Sequence, residues 1–139
     1  VRVTDVKVDI NVAGIMEEVK AAVKPGIRAV AEEVAARARS TAAFADKTGA
    51  LRKSIRVEDP GPESPFVLVR AGGYAYAEGE NYAPHAHLIE YGHAQVTPGG
   101  RVTGFTPAHP FMRPALDEVT SRTGGIVAGA MKPVDIKVG

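Results

Sequence analysis

Two periodicities mark the start of the chain. In "DVKVDI" Val6, Val8 and Ile10 alternate with Lys7 and Asp9, the spacing of a short half-buried strand. From about Ala13 to Phe44 the period changes. Met16, Val19, Val23, Ile27, Val30, Val34 and Ala38 recur at intervals of three and four, one stripe of an amphipathic helix. Asn11 stands where it can cap that helix. Glu33 with Arg37, and Arg28 with Glu32, are placed for i,i+4 pairs on its exposed side. Lys24-Pro25-Gly26 conflicts with this reading, since Pro costs ~3 kcal/mol and Gly ~1 kcal/mol inside a helix. The stripe nevertheless keeps phase across them. The pattern predicts a kinked helix, or two collinear helices with Pro25 starting the second, and such a stripe needs a sheet or a partner to cover it.

Beyond the helix the elements shorten. Gly49 in "DKTGALRKS" can supply the positive φ of a turn or C-cap. "SIRVED" and "FVLVRAG" read as strands, joined by the loop "PGPESP". "YAYAEGENYAPHAHLIEYG" is ambiguous: its first part can extend the sheet, and Ala83 to Tyr91 can form one or two helical turns entered at Pro84. "AQVTPGGRVTGF" is a hairpin with Pro98-Gly99-Gly100 at its turn. "HPFMRPALDEVTSR" starts a helix that Gly124-Gly125 interrupts or ends, and "VDIKVG" is a final strand or a tail. The implied fold class is α+β. A long kinked N-terminal helix and a C-terminal helix pack on a small, mostly antiparallel sheet from residues 53–72 with a protruding hairpin at 94–105.

Composition narrows the function classes. A chain of 139 residues, 45% hydrophobic and 24% charged, suits one soluble globular domain, 1–139. Lys plus Arg number 17 against 16 for Asp plus Glu, a net charge of +1, without the basic excess of a nucleic-acid binder. There is no cysteine, which removes disulfides, zinc–thiolate sites and thiol nucleophiles. No apolar run approaches the ~20 residues of a membrane span. The opening residues alternate and carry charge where a signal core would lie, so no signal peptide is expected.

The densest candidate chemistry is "HAHLIEYGH", with His85, His87, Glu90 and His93. In a strand, His85 and His87 share a face and Glu90 points away. In a helix, His87 and Glu90 share a side and His85 lies about 200° round. Neither structure gathers all three. "GENYAPHAHLIE" begins like a cupin metal motif, but two residues separate His87 from Glu90 where that family has more, and the late His is missing. A metal site on His85 and His87 is the weaker reading, and polar surface histidines near a turn the stronger. "KTG" at 47–49 lacks the Ser-x-x-Lys that β-lactamase chemistry requires. No nucleophile elbow or phosphate loop is present. Gly125-x-x-x-Gly129 sits in too short a context to span a membrane. Asp117 and Glu118 diverge by about 100° on a helix and are better explained by a helix dipole. No catalytic residue and no cofactor is expected.

Three blocks occur in order: "TGALRKSI", "YAPHAHLIEYGH" and "PAHPFMRPALDE". Together they resemble the neck, or tail-completion, family of long-tailed bacteriophages, the head–tail joining proteins. The matching positions are Thr48, Gly49, Leu51, Arg52, Ser54 and Ile55, then Tyr82, Ala83, Glu90, Tyr91 and Gly92. In the third block they are Pro107, Pro110, Phe111, Met112, Pro114 and Ala115. The similarity spans roughly 13–122 and leaves the two ends, read as extended arms, outside it. His93 departs from the small hydroxyl residue usual in the family.

The resemblance implies a structural, non-enzymatic virion protein of the neck that forms a ring of six copies. The ring would stand between the capsid connector and the tail tube or terminator, with genomic DNA passing through without sequence-specific binding. Its place would be the virion, and the host cytoplasm during assembly. A tail terminator or another minor tail or adaptor subunit is the alternative, and a small cupin-like metal enzyme a more distant one. Phe111 and Met112 are then candidates to plug the core between the two helices, or to lie at a subunit interface. The hairpin adds an edge to a neighbour's sheet, or is a mobile surface loop. Glu90 can link to Arg52 or Arg113 and so position the Glu-Tyr-Gly turn, and Gly92 ends the short helix in a left-handed conformation.

Overall fold

A computed structural model describes residues 11–73 and 83–133. The strand expected at 5–10, the first part of the ambiguous stretch with Tyr82, and "VDIKVG" lie outside the described residues.

The long helix α1 runs from Val12 to Ser40. Asn11 caps it, its Oδ1 accepting from the Gly14 amide at 3.0 Å. The helix is one element through Pro25, not two, and it ends at Ser40 rather than near Phe44. The turn before Pro25 is held from outside by the Lys132 amide, which donates to the Ala22 carbonyl at 3.1 Å. Lys24 also anchors the helix to the loop before β2. Its ammonium donates to the carbonyls of Ser64 (2.8 Å) and Phe66 (3.0 Å) and meets Asp59 at 2.9 Å.

After α1 come α2 (Ala50–Ser54), β1 (Arg56–Glu58), β2 (Leu68–Arg70), α3 (Ala86–Tyr91), β3 (His93–Val96), β4 (Val102–Thr106), α4 (Met112–Thr120) and α5 (Thr123–Ala130). The fold is α+β. The strands form two separate antiparallel pairs, β1–β2 and β3–β4, and not the one sheet with its hairpin expected from the sequence. In β1–β2, Glu58 bridges Arg56 and Arg70, which face each other in the register, with contacts of 2.7 Å to each.

A second correction concerns the C-terminal helix. Gly124 and Gly125 do not end it: a turn follows Thr120, and both glycines lie in the first turn of α5. Three glycines in "TGGIVAGA" disfavour a helix on propensity alone. Packing overrides propensity here because α5 lies directly on α1. A Cβ at Gly26 would stand 2.8 Å from Val127 Cγ1 and 3.0 Å from its Cα.

This contact shows which face of α1 is covered. The buried positions are Ala22, Gly26, Ala31, Val34, Ala35 and Ala38, mostly small residues that admit close neighbours. The bulkier stripe is only partly covered: Val23, Ile27 and Val30 are half-buried, and Met16 and Val19 are exposed. The core lies at the C-terminal half of α1, where Val34, Ala35 and Ala38 meet Phe44, Leu51, Ile55, Phe111, Ala115 and Val119.

Asp59 gives the fold an acid-sensitive tie. The hydrogen bond from Lys24, then that from the Gly61 amide, hold its carboxyl below the usual carboxylate range. A carboxylate with a lowered folded pKa stabilises the fold fully above its unfolded value of about 3.9, and the contribution disappears as pH falls through the folded value. Replacing Asp59 with Asn is therefore expected to reduce the loss of thermal stability between neutral pH and about pH 3. Identical pH profiles for the two proteins would remove Asp59 from the account. A Gly72→Ala variant is expected to lose about 2–4 kcal/mol in urea unfolding. Gly72 has φ +69°, and a Cβ there would meet the Ala83 carbonyl oxygen at 2.3 Å.

Candidate functional site

The three sequence blocks meet at one junction. In the first, Thr48 Oγ1 accepts from the Ala50 amide (3.2 Å), and Gly49 precedes α2 with φ 75° and ψ −3°. Leu51 and Ile55 enter the core. The Arg52 guanidinium donates to the carbonyls of Arg39 and Phe44 and stacks 4.6 Å from the centre of the Phe44 ring. Its backbone amide donates to Asp46 at 2.8 Å. Ser54 is buried and satisfied twice: its hydroxyl donates to the Leu51 carbonyl (2.6 Å) and accepts from the Gly72 amide (2.8 Å). A five-residue helix too short to stand alone is thereby locked to the end of α1 and to the chain leaving β2.

The second and third blocks are joined by Glu90. Its Oε2 accepts from the amides of Phe111 (2.8 Å) and Met112 (3.0 Å), and its Oε1 from that of Arg113 (3.0 Å). Phe111 is the N-cap of α4. A helix leaves its first amide groups without internal partners. Three of them are taken by Glu90, and the next residue, Pro114, has none to satisfy. Negative charge at this end is also favoured by the helix dipole. The link expected from Glu90 to the side chain of Arg52 or Arg113 is therefore replaced by one to backbone, and the Arg52 guanidinium is spent on the Arg39 and Phe44 carbonyls. The dipole reading of Asp117 and Glu118 is corrected as well. α4 starts at Met112, so neither residue is in its first turn, and Glu118 pairs with Arg37 at 3.1 Å.

Capping sets the position of Phe111, which is 1% exposed and meets Phe44 edge-on with ring centres 5.0 Å apart. Met112 packs only at the margin of this core. Pro110 is exposed beside it. The segment is fixed further by the His109 amide donating to the Ile89 carbonyl at 2.8 Å. Gly92 has φ 73° but ψ 172°, so the conformation expected for it is corrected. It lies outside the left-handed helical region, in a region open essentially to glycine alone. A Cβ there would meet the Thr106 carbonyl oxygen at 2.7 Å and the Ala108 amide at 2.9 Å. The following His93 carries a buried Nδ1 without a partner among the described residues.

The histidines do not converge. His85 is the N-cap of α3 and His87 lies within the helix, both exposed. Among the described residues no three His, Cys, Asp or Glu side chains are grouped to hold a metal ion.

Next to the junction lies a feature the sequence reading missed, an open groove of about 630 Å³. Ile27, Val30 and Val34 of α1 form one wall, Val69 of β2 another, and Met112, Leu116 and Val127 the third. His87, Glu90 and Arg113 add the polar lining, and Tyr91 is 77% exposed beside them. The signal was present in the bulky stripe of α1, for which the sequence demands a cover, sheet or partner, without saying which.

Unfolding in urea separates the backbone cap from a side-chain ion pair. Glu90→Gln is expected to cost about 1–3 kcal/mol, by weakening charge-assisted bonds to three amides. Arg113→Ala is expected to stay within about 0.5 kcal/mol, since only its backbone is used. Equal losses from both variants would contradict the cap. Phe111→Ala is expected to cost about 3–5 kcal/mol.

Residues 11–92 match the HK97-gp10-like family, described as "Bacteriophage HK97-gp10, putative tail-component". The match covers α1, the Thr48–Ile55 block and α3, and stops before the hairpin and α4. No curated protein and no solved structure matches the chain significantly.

Proposed function

The chain belongs to the HK97-gp10-like family of bacteriophage tail components, and from that premise we propose that it is a structural subunit of the virion neck. In this reading it completes the tail by assembling as a ring of six copies between the capsid connector and the tail tube, with genomic DNA passing through the bore. It would assemble in the host cytoplasm and end in the virion. The observation that carries the reading is the contrast between a settled interior and an unsettled surface. Glu90, Ser54 and Arg52, the polar side chains of the motif blocks, are engaged by backbone groups. No reactive group is thereby left poised among these three. The outside, by contrast, exposes Met16, Phe66, Val96, Val102, Phe105 and Leu116. Three of these, Val96, Val102 and Phe105, belong to one hairpin, and grouped apolar surface marks a protein that works in contact with others.

The bore of such a ring must let phosphates slide, so acidic side chains should outnumber basic ones on it. A Lys- and Arg-rich lining would retain DNA through counter-ion release. Imaging of the phage particle, with this chain traced into the density, tests the position and the lining together. Density for the chain in the neck with an acid-dominated bore is the expected result. A Lys/Arg-dominated bore would refute the lining, and absence of the chain from the particle would refute the reading.

A further inference from the structure

We propose that the β3–β4 hairpin of one copy seats its apolar face in the groove of the next copy, so that subunits join head to tail. The inference deepens the ring reading above and rests on it for closure of the assembly.

The hairpin first. In its register Ala94 faces Phe105, Gln95 faces Gly104 and Val96 faces Val102, so Thr103 has no opposite residue. This is a β-bulge. Directly opposed residues share a face. The extra residue therefore brings Val102 and Phe105, an odd three apart, onto the same face as Ala94 and Val96. That face is apolar and unprotected: Val96 is 55% exposed, Val102 62% and Phe105 64%. The other face is polar, with Gln95 Nε2 donating to Thr106 Oγ1 at 3.1 Å. A hairpin that was merely solvated would carry no such division.

The groove has matching chemistry and size. Its α1 wall from Ile27 to Val34 is ~10 Å long at the helical rise, enough for the ~7 Å from Ala94 to Val96 and the turn beyond. Charge at the rim is mixed, with Arg113 in the lining, and the carboxylate available to a cation is Asp117 beside it. Arg101 stands at the hairpin tip, and its guanidinium meets no carboxylate among the described residues. Asp117 lies on α4 one turn beyond Arg113, which lines the groove, and it too is in no ion pair among the described residues. A cation at the tip of an apolar ridge and a carboxylate beside an apolar groove are complementary halves on one chain. A second copy supplies both without any further partner. Because ridge and groove are different surfaces, the contact is heterologous: it propagates, and it closes into a ring when the rotation per copy allows.

The absence of cysteine from the chain makes crosslinking unambiguous. The double variant Phe105→Cys/Leu116→Cys, oxidised at high concentration, is expected to give a reducible ladder of chain multiples, and neither single variant to give one. A dimer from Phe105→Cys alone would overturn the proposal in favour of hairpin-to-hairpin pairing. A crosslink only within monomers would overturn it in favour of the chain filling its own groove, and no crosslink at all would overturn it outright. Charge reversal gives an independent check by sedimentation. Arg101→Asp and Asp117→Arg should each weaken self-association at least about tenfold, at unchanged thermal stability, and the double reversal should restore it. Failure of the double reversal to restore association would refute the pairing. The two readings fail differently. Rings that persist in a Phe105→Glu variant would discard this contact and leave the ring, whereas crosslinked open filaments would keep the contact and discard the ring.

Discussion

The Glu90 carboxylate is the interaction on which the arrangement turns. It reaches from α3 to the amides of Phe111, Met112 and Arg113, and so makes the last turn of one helix the cap of another. With α4 begun at that point, Phe111 has one place to go, against Phe44. Phe44 is in turn covered by the Arg52 guanidinium, which also holds the end of α1 through the Arg39 carbonyl. A line of contacts thus runs from the Glu-Tyr-Gly turn through the Pro-Phe-Met segment to the Thr-Gly-Ala-Leu-Arg block. The three blocks are distant in sequence because each supplies a different part of one junction.

Two different surfaces of α1 have two different uses. Gly26 admits Val127 of α5 at backbone distance, which lets a glycine-rich segment remain helical. The larger Ile27, Val30 and Val34 face the groove. Burying the small face internally leaves apolar area of greater weight on the outside, and larger side chains contribute more when covered. The hairpin, with its own exposed apolar face, lies beyond the part of the chain that matches the family.

Much of this was legible in the residues. The 3.6-residue period placed α1 and kept it in phase across Pro25. Short runs of β-favouring residues placed β1 and β2, and the Pro98-Gly99-Gly100 turn placed the hairpin. The order of the three blocks pointed to a phage structural family, and the mismatch between His87 and Glu90 spacing argued against a metal site. These are local properties: periodicity, turn chemistry and spacing are carried by neighbours along the chain.

What the sequence left open is of another kind. Whether Glu90 would meet a guanidinium or three amides depends on where α4 begins relative to α3, a distance between segments some 20 residues apart in the chain. Whether Gly124 and Gly125 would stop a helix depended on Gly26, about 100 residues earlier, which offers α5 a surface with no side chain in the way. The unmatched Thr103 made one apolar face from residues whose spacing alone assigns them to opposite faces. The sequence by itself determined α1, the strand segments, the start of the helix after Pro110 and the family. Tertiary packing decided which apolar face was buried and which was left for a partner, because burial is settled by what approaches a surface and not by the pattern of the surface alone.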